Sequence, residues 1–233
     1  MMKNKIILIS CLLSVLCGCT QTGNKPLHSS LYDENYSVED VIKYFDEVVL
    51  DSEYSSGEGN VTLVQKWEDP IYYVMKGHSE QDRHVLESLF DELNKIEGFP
   101  GIYKSDGLIS ATIDFYSDKD FYNEMGHIVS GNADGAVEYW YDTEMNYIYE
   151  GTIAYRKNMD EDIRESVLKE EVVNMLGITD TKLREDSITY QYSSTNKNLS
   201  EMDWIILKIL YSDDIKASMN AQSCHEIIKK LYY

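Results

Sequence analysis

The chain has 233 residues and a formal net charge of −20, with 41 Asp and Glu against 21 Lys and Arg. That excess of carboxylates excludes nucleic acid as a partner, and it makes an anionic membrane surface repel the body of the protein.

The N-terminus, MMKNKIILISCLLSVLCGC, has a basic start (Lys3, Lys5), an apolar run from Ile6 to Leu16, and then Leu16-Cys17-Gly18-Cys19. The run is shorter than the roughly 20 residues of a membrane span and ends in small residues suited to cleavage. Residues 1–18 therefore read as a signal peptide. The last four residues resemble a lipobox, which implies cleavage before Cys19 and a lipid on its thiol. The expected location is the bacterial cell membrane, lipid-anchored and facing outside the cytoplasm, with the acyl chain as the membrane contact. Loss of Lys3 and Lys5 would leave 19 basic residues against 41 acidic ones, a net charge of −22. Cys11 and Cys17 leave with the signal and Cys19 carries lipid, so Cys224 is the one thiol left and an internal disulfide is excluded. On a helix such a lone cysteine reads as a small buried apolar residue.

Residues 19–36 are polar and aperiodic, as a tether would be. Ser37, followed by Val38, Val41, Ile42, Phe45, Val48 and Val49, gives an N-cap and an amphipathic helix, which with the loop DSEYSSGEGN fills 37–60. The main domain is expected over 61–233, about 170 residues, enough for one core. Ile71 to Lys76 alternates as a strand. Ser79 caps a long helix from Glu80 to about Glu97, with Val85, Leu89, Phe90 and Leu93 on one face. Gly98 to Gly107 reads as a loop and ISATIDFYS as a second strand. AVEYWYD and YIYEGTIAYR read as two antiparallel strands joined by the turn TEMN. Helices follow over Asp160–Leu176, Ser200 to about Tyr211, and Ala221–Leu231. A Gly-rich phosphate loop and a G-x-S-x-G elbow are both missing from the sequence, which gives phosphoryl transfer and serine hydrolysis no foothold.

The stretch KEEVVNMLGITD carries the chemistry. In metzincin peptidases HExxHxxGxxH places two zinc ligands at i and i+4 on one helix face, with a Glu polarising the bound water. A Gly then turns the chain so that a third ligand, sometimes Asp, returns to the metal. Here Glu170, Glu171, Asn174, Gly177 and Asp180 occupy those positions. Ser187-Ile188-Thr189-Tyr190 stands where a SIMY Met-turn would follow, with Thr189 for Met. Leu199-Ser200-Glu201-Met202-Asp203-Trp204, running on to Tyr211, resembles the matrixin LSxxDxxxIxxLY.

A closer resemblance is to a bacterial family, the domain of unknown function 2927, many of whose members are lipoproteins. It is carried by Trp67 to Ile71, Glu170 to Asp180, Asp186 to Ile188, and Leu199 to Tyr211, with Asn174 for the usual Gln and Ser218 where Gly is common. The resemblance implies an α+β, zincin-like fold: a mixed sheet packed on a long helix and on the motif helix, with C-terminal helices.

An all-oxygen set of Glu170, Asn174 and Asp180 would bind zinc far more weakly than three imidazoles, and the neutral Asn carbonyl suits calcium better. No cofactor is expected, zinc and calcium being the metals left open. Glu171 remains a candidate general base, against the plainer reading that Glu170 and Glu171 belong to a solvated acidic helix face. Of the histidines, only His127 has a place worth watching. Asp203 sits at the capping-box position after Ser200. The tyrosines of EYWYDTEMNYIYEGTIAYR offer an aromatic surface for a peptide, protein or glycan, unless they are buried. The expectation is a membrane-anchored lipoprotein with a catalytically degenerate metallopeptidase-like domain. The alternative is an active metallopeptidase with an oxygen-rich site.

Overall fold

The computed structural model describes residues 31–50, 62–129 and 133–232. The signal peptide, Cys19 and most of the tether lie outside them.

Ser37 starts α1 (Val38–Phe45) through a capping box with Asp40, and a π turn, Asp46–Leu50, continues it. Val41, Phe45 and Val48 are fully buried in the same hydrophobic cluster as the rest of the chain, so the core reaches back to residue 38.

Two short strands, β1 (Lys66–Trp67) and β3 (Ile102–Lys104), join β2 (Ile71–Lys76), β4 (Ala111–Tyr116), β5 (Gly135–Tyr141) and β6 (Tyr147–Arg156) in one six-stranded sheet. β3, β2, β4 and β6 run parallel in that spatial order, and β1 pairs in parallel with the start of β6. β5 is antiparallel to β6, as the hairpin pattern requires. β3 falls within the expected Gly98–Gly107 loop. Three residues are too few to show alternation, and only pairing with Ile71, Tyr72 and Tyr73 makes them a strand.

Ile71, Tyr73, Met75, Ala111, Ile113, Phe115, Ile153 and Tyr155 are buried, while Tyr72, Val74, Thr112, Asp114 and Thr152 alternate with them half-buried. The buried row packs on two helices. The Tyr73 ring lies 4.9 Å from that of Phe90 in α2 (Glu80–Leu93). The Tyr155 hydroxyl donates to Leu168 O of α4 (Glu161–Met175) at 2.7 Å. α2 ends four residues short of Glu97, because Lys95 and Ile96 turn tightly onto Glu92 and Leu93 and Gly98 follows at φ 84°. On the other face a short helix absent from the sequence reading, α3 (Asp118–Met125), seals only one end, with Phe121 and Met125 on Ala136 and Ala154. Its eight residues carry too few apolar positions to reveal a period.

The last helices are α5 (Glu201–Leu210) and α6 (Ala221–Tyr232). Lys66 is buried with its ammonium on Leu210 O (2.8 Å) and Ile215 O (2.7 Å), beyond the C-terminal end of α5, where carbonyls favour a cation. Burial lowers its pKa to about 8. Ser218 has φ 68°, a conformation that favours glycine, and it is held by a 2.7 Å bond to Met145 O and a 2.9 Å bond from Asn146. No helix among the described residues is long and apolar enough to cross a membrane.

Candidate functional site

α4 begins at Asp160, whose carboxylate accepts from Asp162 N, and is buried on almost every side. Arg164, Val167, Leu168, Glu171, Val172, Val173 and Met175 are all buried, which places α4 inside the molecule. Arg164 is matched: it makes a two-pronged contact with the buried Asp82 of α2 at 2.6 and 3.0 Å and donates to Lys157 O at 3.1 Å. Burial pushes the Asp82 carboxyl up, but Arg164 and Ser79 outweigh it and hold it below its ordinary value.

Glu171 is not on a solvated face. It is 9 % exposed and lies against the first residue of β5, where a Cβ on Gly135 would stand 2.6 Å from Oε1. The strand therefore comes this close to the helix only because residue 135 is glycine. Burial first, and then the charges of Glu170 and Asp180, raise the Glu171 carboxyl well above the usual range. Glu170 accepts from Ser194 Oγ at 3.1 Å, and burial and Asp180 push its pKa up to about 8. Glu170 therefore favours the neutral, protonated form at pH 7, and Glu171 is shifted in the same direction.

Asn174 donates through Nδ2 to Asp180 Oδ1 at 3.1 Å, while its Oδ1 is buried without a partner among the described residues. Gly177 closes the helix at φ 91°, and a Cβ there would lie 2.3 Å from Gln65 O. The chain then runs onto the π turn after α1. Thr179 N donates to Val48 O at 2.7 Å, and Thr181 Oγ1 and Lys182 N donate to Glu47 Oε1 at 2.9 and 2.8 Å.

The remaining motif residues form a second network around Asp203, which is 4 % exposed. Its Oδ2 accepts from Ile188 N (3.0 Å) and Ser200 N (2.8 Å), and its Oδ1 accepts from Ser187 Oγ (2.8 Å). The Tyr44 hydroxyl lies 2.9 Å from both Ser187 Oγ and Asp203 Oδ1. Thr189 N donates to Ser187 Oγ at 3.1 Å, with Thr189 Oγ1 3.2 Å away. The two networks meet through the backbone, where Thr181 N donates to Thr189 O.

The structure thus gathers Glu170, Glu171, Asn174 and Asp180 at one place and Ser187, Thr189 and Asp203 at another. Zinc does not fit the first set. Its donors are carboxylates and one amide with no imidazole among them, and Asn174 turns its amide nitrogen to Asp180 at 3.1 Å. Among the described residues no group of three or more His, Cys, Asp or Glu side chains is arranged to hold a metal ion. His127 pairs with Glu138 at 3.2 Å and His225 with Asp46 at 2.8 Å. Cys224 is buried and free, its thiol pushed up to about 11 by burial. Sequence reasoning missed Gly135, Ser194 and Tyr44. All three act across long chain separations, and no local spacing signals such a contact.

A family model described as "Protein of unknown function (DUF2927)" matches residues 38–230, most of the chain, and the chain belongs to that family. No curated protein matches it.

Proposed function

Starting from that membership, we propose that the chain is a lipid-anchored bacterial envelope protein, held at the membrane through Cys19, whose zincin-like domain serves as a catalytically degenerate binding module. The mixed sheet, with its antiparallel strand β5 beside the motif helix, supports a metallopeptidase-like ancestry. The observation that carries the loss of catalysis is the motif's own geometry. Asn174 and Asp180 bind each other at 3.1 Å, and Glu171 is wedged against Gly135 instead of facing an open cleft.

The test is metal content and peptide cleavage of the full-length protein in detergent, with Zn²⁺ and Ca²⁺ titrated in. The expected result is no stoichiometric metal and no cleavage. Stoichiometric zinc lost in Glu170→Ala or Asp180→Ala, with cleavage lost in Glu171→Gln, would establish the oxygen-rich metallopeptidase instead. Anchoring is tested separately: Cys19→Ala is expected to move the protein out of the membrane fraction, and continued retention would overturn the lipid anchor.

A further inference from the structure

A mostly parallel sheet is normally covered on both faces, yet among the described residues the short α3 seals only one end of the second face. The hairpin beside it, residues 134–155, has an unusual composition. It contains Asp134, Glu138, Asp142, Glu144 and Glu150, and six aromatic residues, but no Lys or Arg. Asp134 is matched by Arg156 and Glu138 by His127, and Asp142 accepts from the backbone of its own turn. Glu150 is exposed, with no ion pair among the described residues.

The pairing register places Glu150 next to an aromatic pair. Trp140 stands opposite Glu150 and Tyr141 opposite Ile148, so Tyr149 is the extra residue of a β-bulge. Directly paired residues project from the same face of a sheet, and a bulge re-aims the side chain it carries. Trp140 is 39 % and Tyr149 47 % exposed. Two large aromatic rings and a carboxylate are therefore presented to solvent within one bulge.

We propose that Trp140, Tyr149 and Glu150 form a docking surface for a lysine- or arginine-bearing segment of a partner protein. Charge complementarity selects this occupant. Aromatic faces attract cations through their quadrupole, the carboxylate adds an ion pair, and the hairpin has no cation of its own to compete. The chain's charge of −20 draws basic segments toward it and repels acidic ones. The inference rests on the domain being a binding module and names the surface and the class of partner.

The test is calorimetric titration of the full-length protein with a short peptide alternating Lys or Arg with Gly, at about 0.15 M salt to screen diffuse attraction. The same peptide with Gln at every basic position and a neutral oligosaccharide serve as comparisons. Saturable binding of the cationic peptide is expected, weakened at least about tenfold in each of Trp140→Ala, Tyr149→Ala and Glu150→Gln, and unchanged in Glu39→Gln on α1. Absence of binding, equal binding of the Gln peptide, preference for the oligosaccharide, or equal weakening by Glu39→Gln would each overturn the proposal. Mass spectrometry of the peptide afterwards separates this inference from the reading it rests on. Cleavage of the bound peptide would sink the degenerate reading and leave the surface standing, whereas an intact unbound peptide would sink the surface alone.

Discussion

Asp203 and Glu171 are both nearly buried carboxyl groups, and they stand in opposite physical situations. Asp203 is surrounded by donors from three chain segments: Tyr44, the Ser187–Ile188 turn and Ser200 at the start of α5. Glu171 lies against Gly135 and Val167 with two further acids nearby, and burial and those charges push its carboxyl upward. A satisfied buried network rigidifies a fold, whereas a partly satisfied one costs stability and persists only where something other than stability retains it. The Asp203 network therefore braces the fold, whereas the Glu170–Glu171–Asn174–Asp180 group keeps its acids in place at a cost to stability.

That contrast can be broken at several points. Removing Asp203 should do the most damage, because Asp203→Ala strands several buried donors at once; a loss of about 3–5 kcal/mol is expected in denaturant unfolding. A loss under about 1 kcal/mol would refute the hub. Gly177→Ala should cost roughly 2–4 kcal/mol in the same assay, since alanine meets both a positive φ and the Gln65 carbonyl.

Glu171→Gln should act in the opposite direction. A carboxyl whose pKa is raised on folding holds a proton that the unfolded chain releases above its ordinary value of 4.5. Its contribution is therefore most favourable at low pH and is lost as pH rises. Glu170 follows the same sign, its contribution being lost as pH rises from about 4.5 through its folded value of about 8. Gln imitates the protonated acid at every pH, so Glu171→Gln is expected to stabilise by about 1–2 kcal/mol at pH 8, to do little near pH 4, and to flatten the pH profile of Tm. Lower stability of the variant at pH 8 would show that the carboxylate is bound to something.

Two smaller effects sharpen the picture. Tyr44→Phe should cost about 1 kcal/mol, the worth of one hydroxyl in a network that keeps its other donors. Ser194→Ala should change stability by only about 0.5 kcal/mol. It removes the one hydrogen bond that lowers the Glu170 pKa, so the titration of that residue, followed by NMR, should move upward.

Much of the local architecture was legible. Ser37, Ser79 and Ser200 announce helix starts, and each accepts from a backbone amide three residues on. Ile71–Lys76 and the β5–β6 hairpin show their alternation, and Gly177 marks a helix end. The acidic stretch at Glu170 was harder to read, because composition fits a solvated face as well as a buried cluster. Only the approach of β5 through Gly135 decides for burial. Asp82 shows the same limit. As a capping residue it is visible from Ser79 three positions away, whereas its bond to Arg164 spans 82 residues and leaves no trace in either neighbourhood.

The sequence by itself determined the helix caps, the long strands, the acidic character, the family and the order of the motif positions. All of these depend on contacts a few residues apart or on composition. The tertiary structure decided which carboxyls are bonded and which are merely enclosed, how β1 and β3 pair, and that α1 lies in the core. Those outcomes depend on which segments approach one another through space, and hydrogen-bond satisfaction and desolvation are set by that approach.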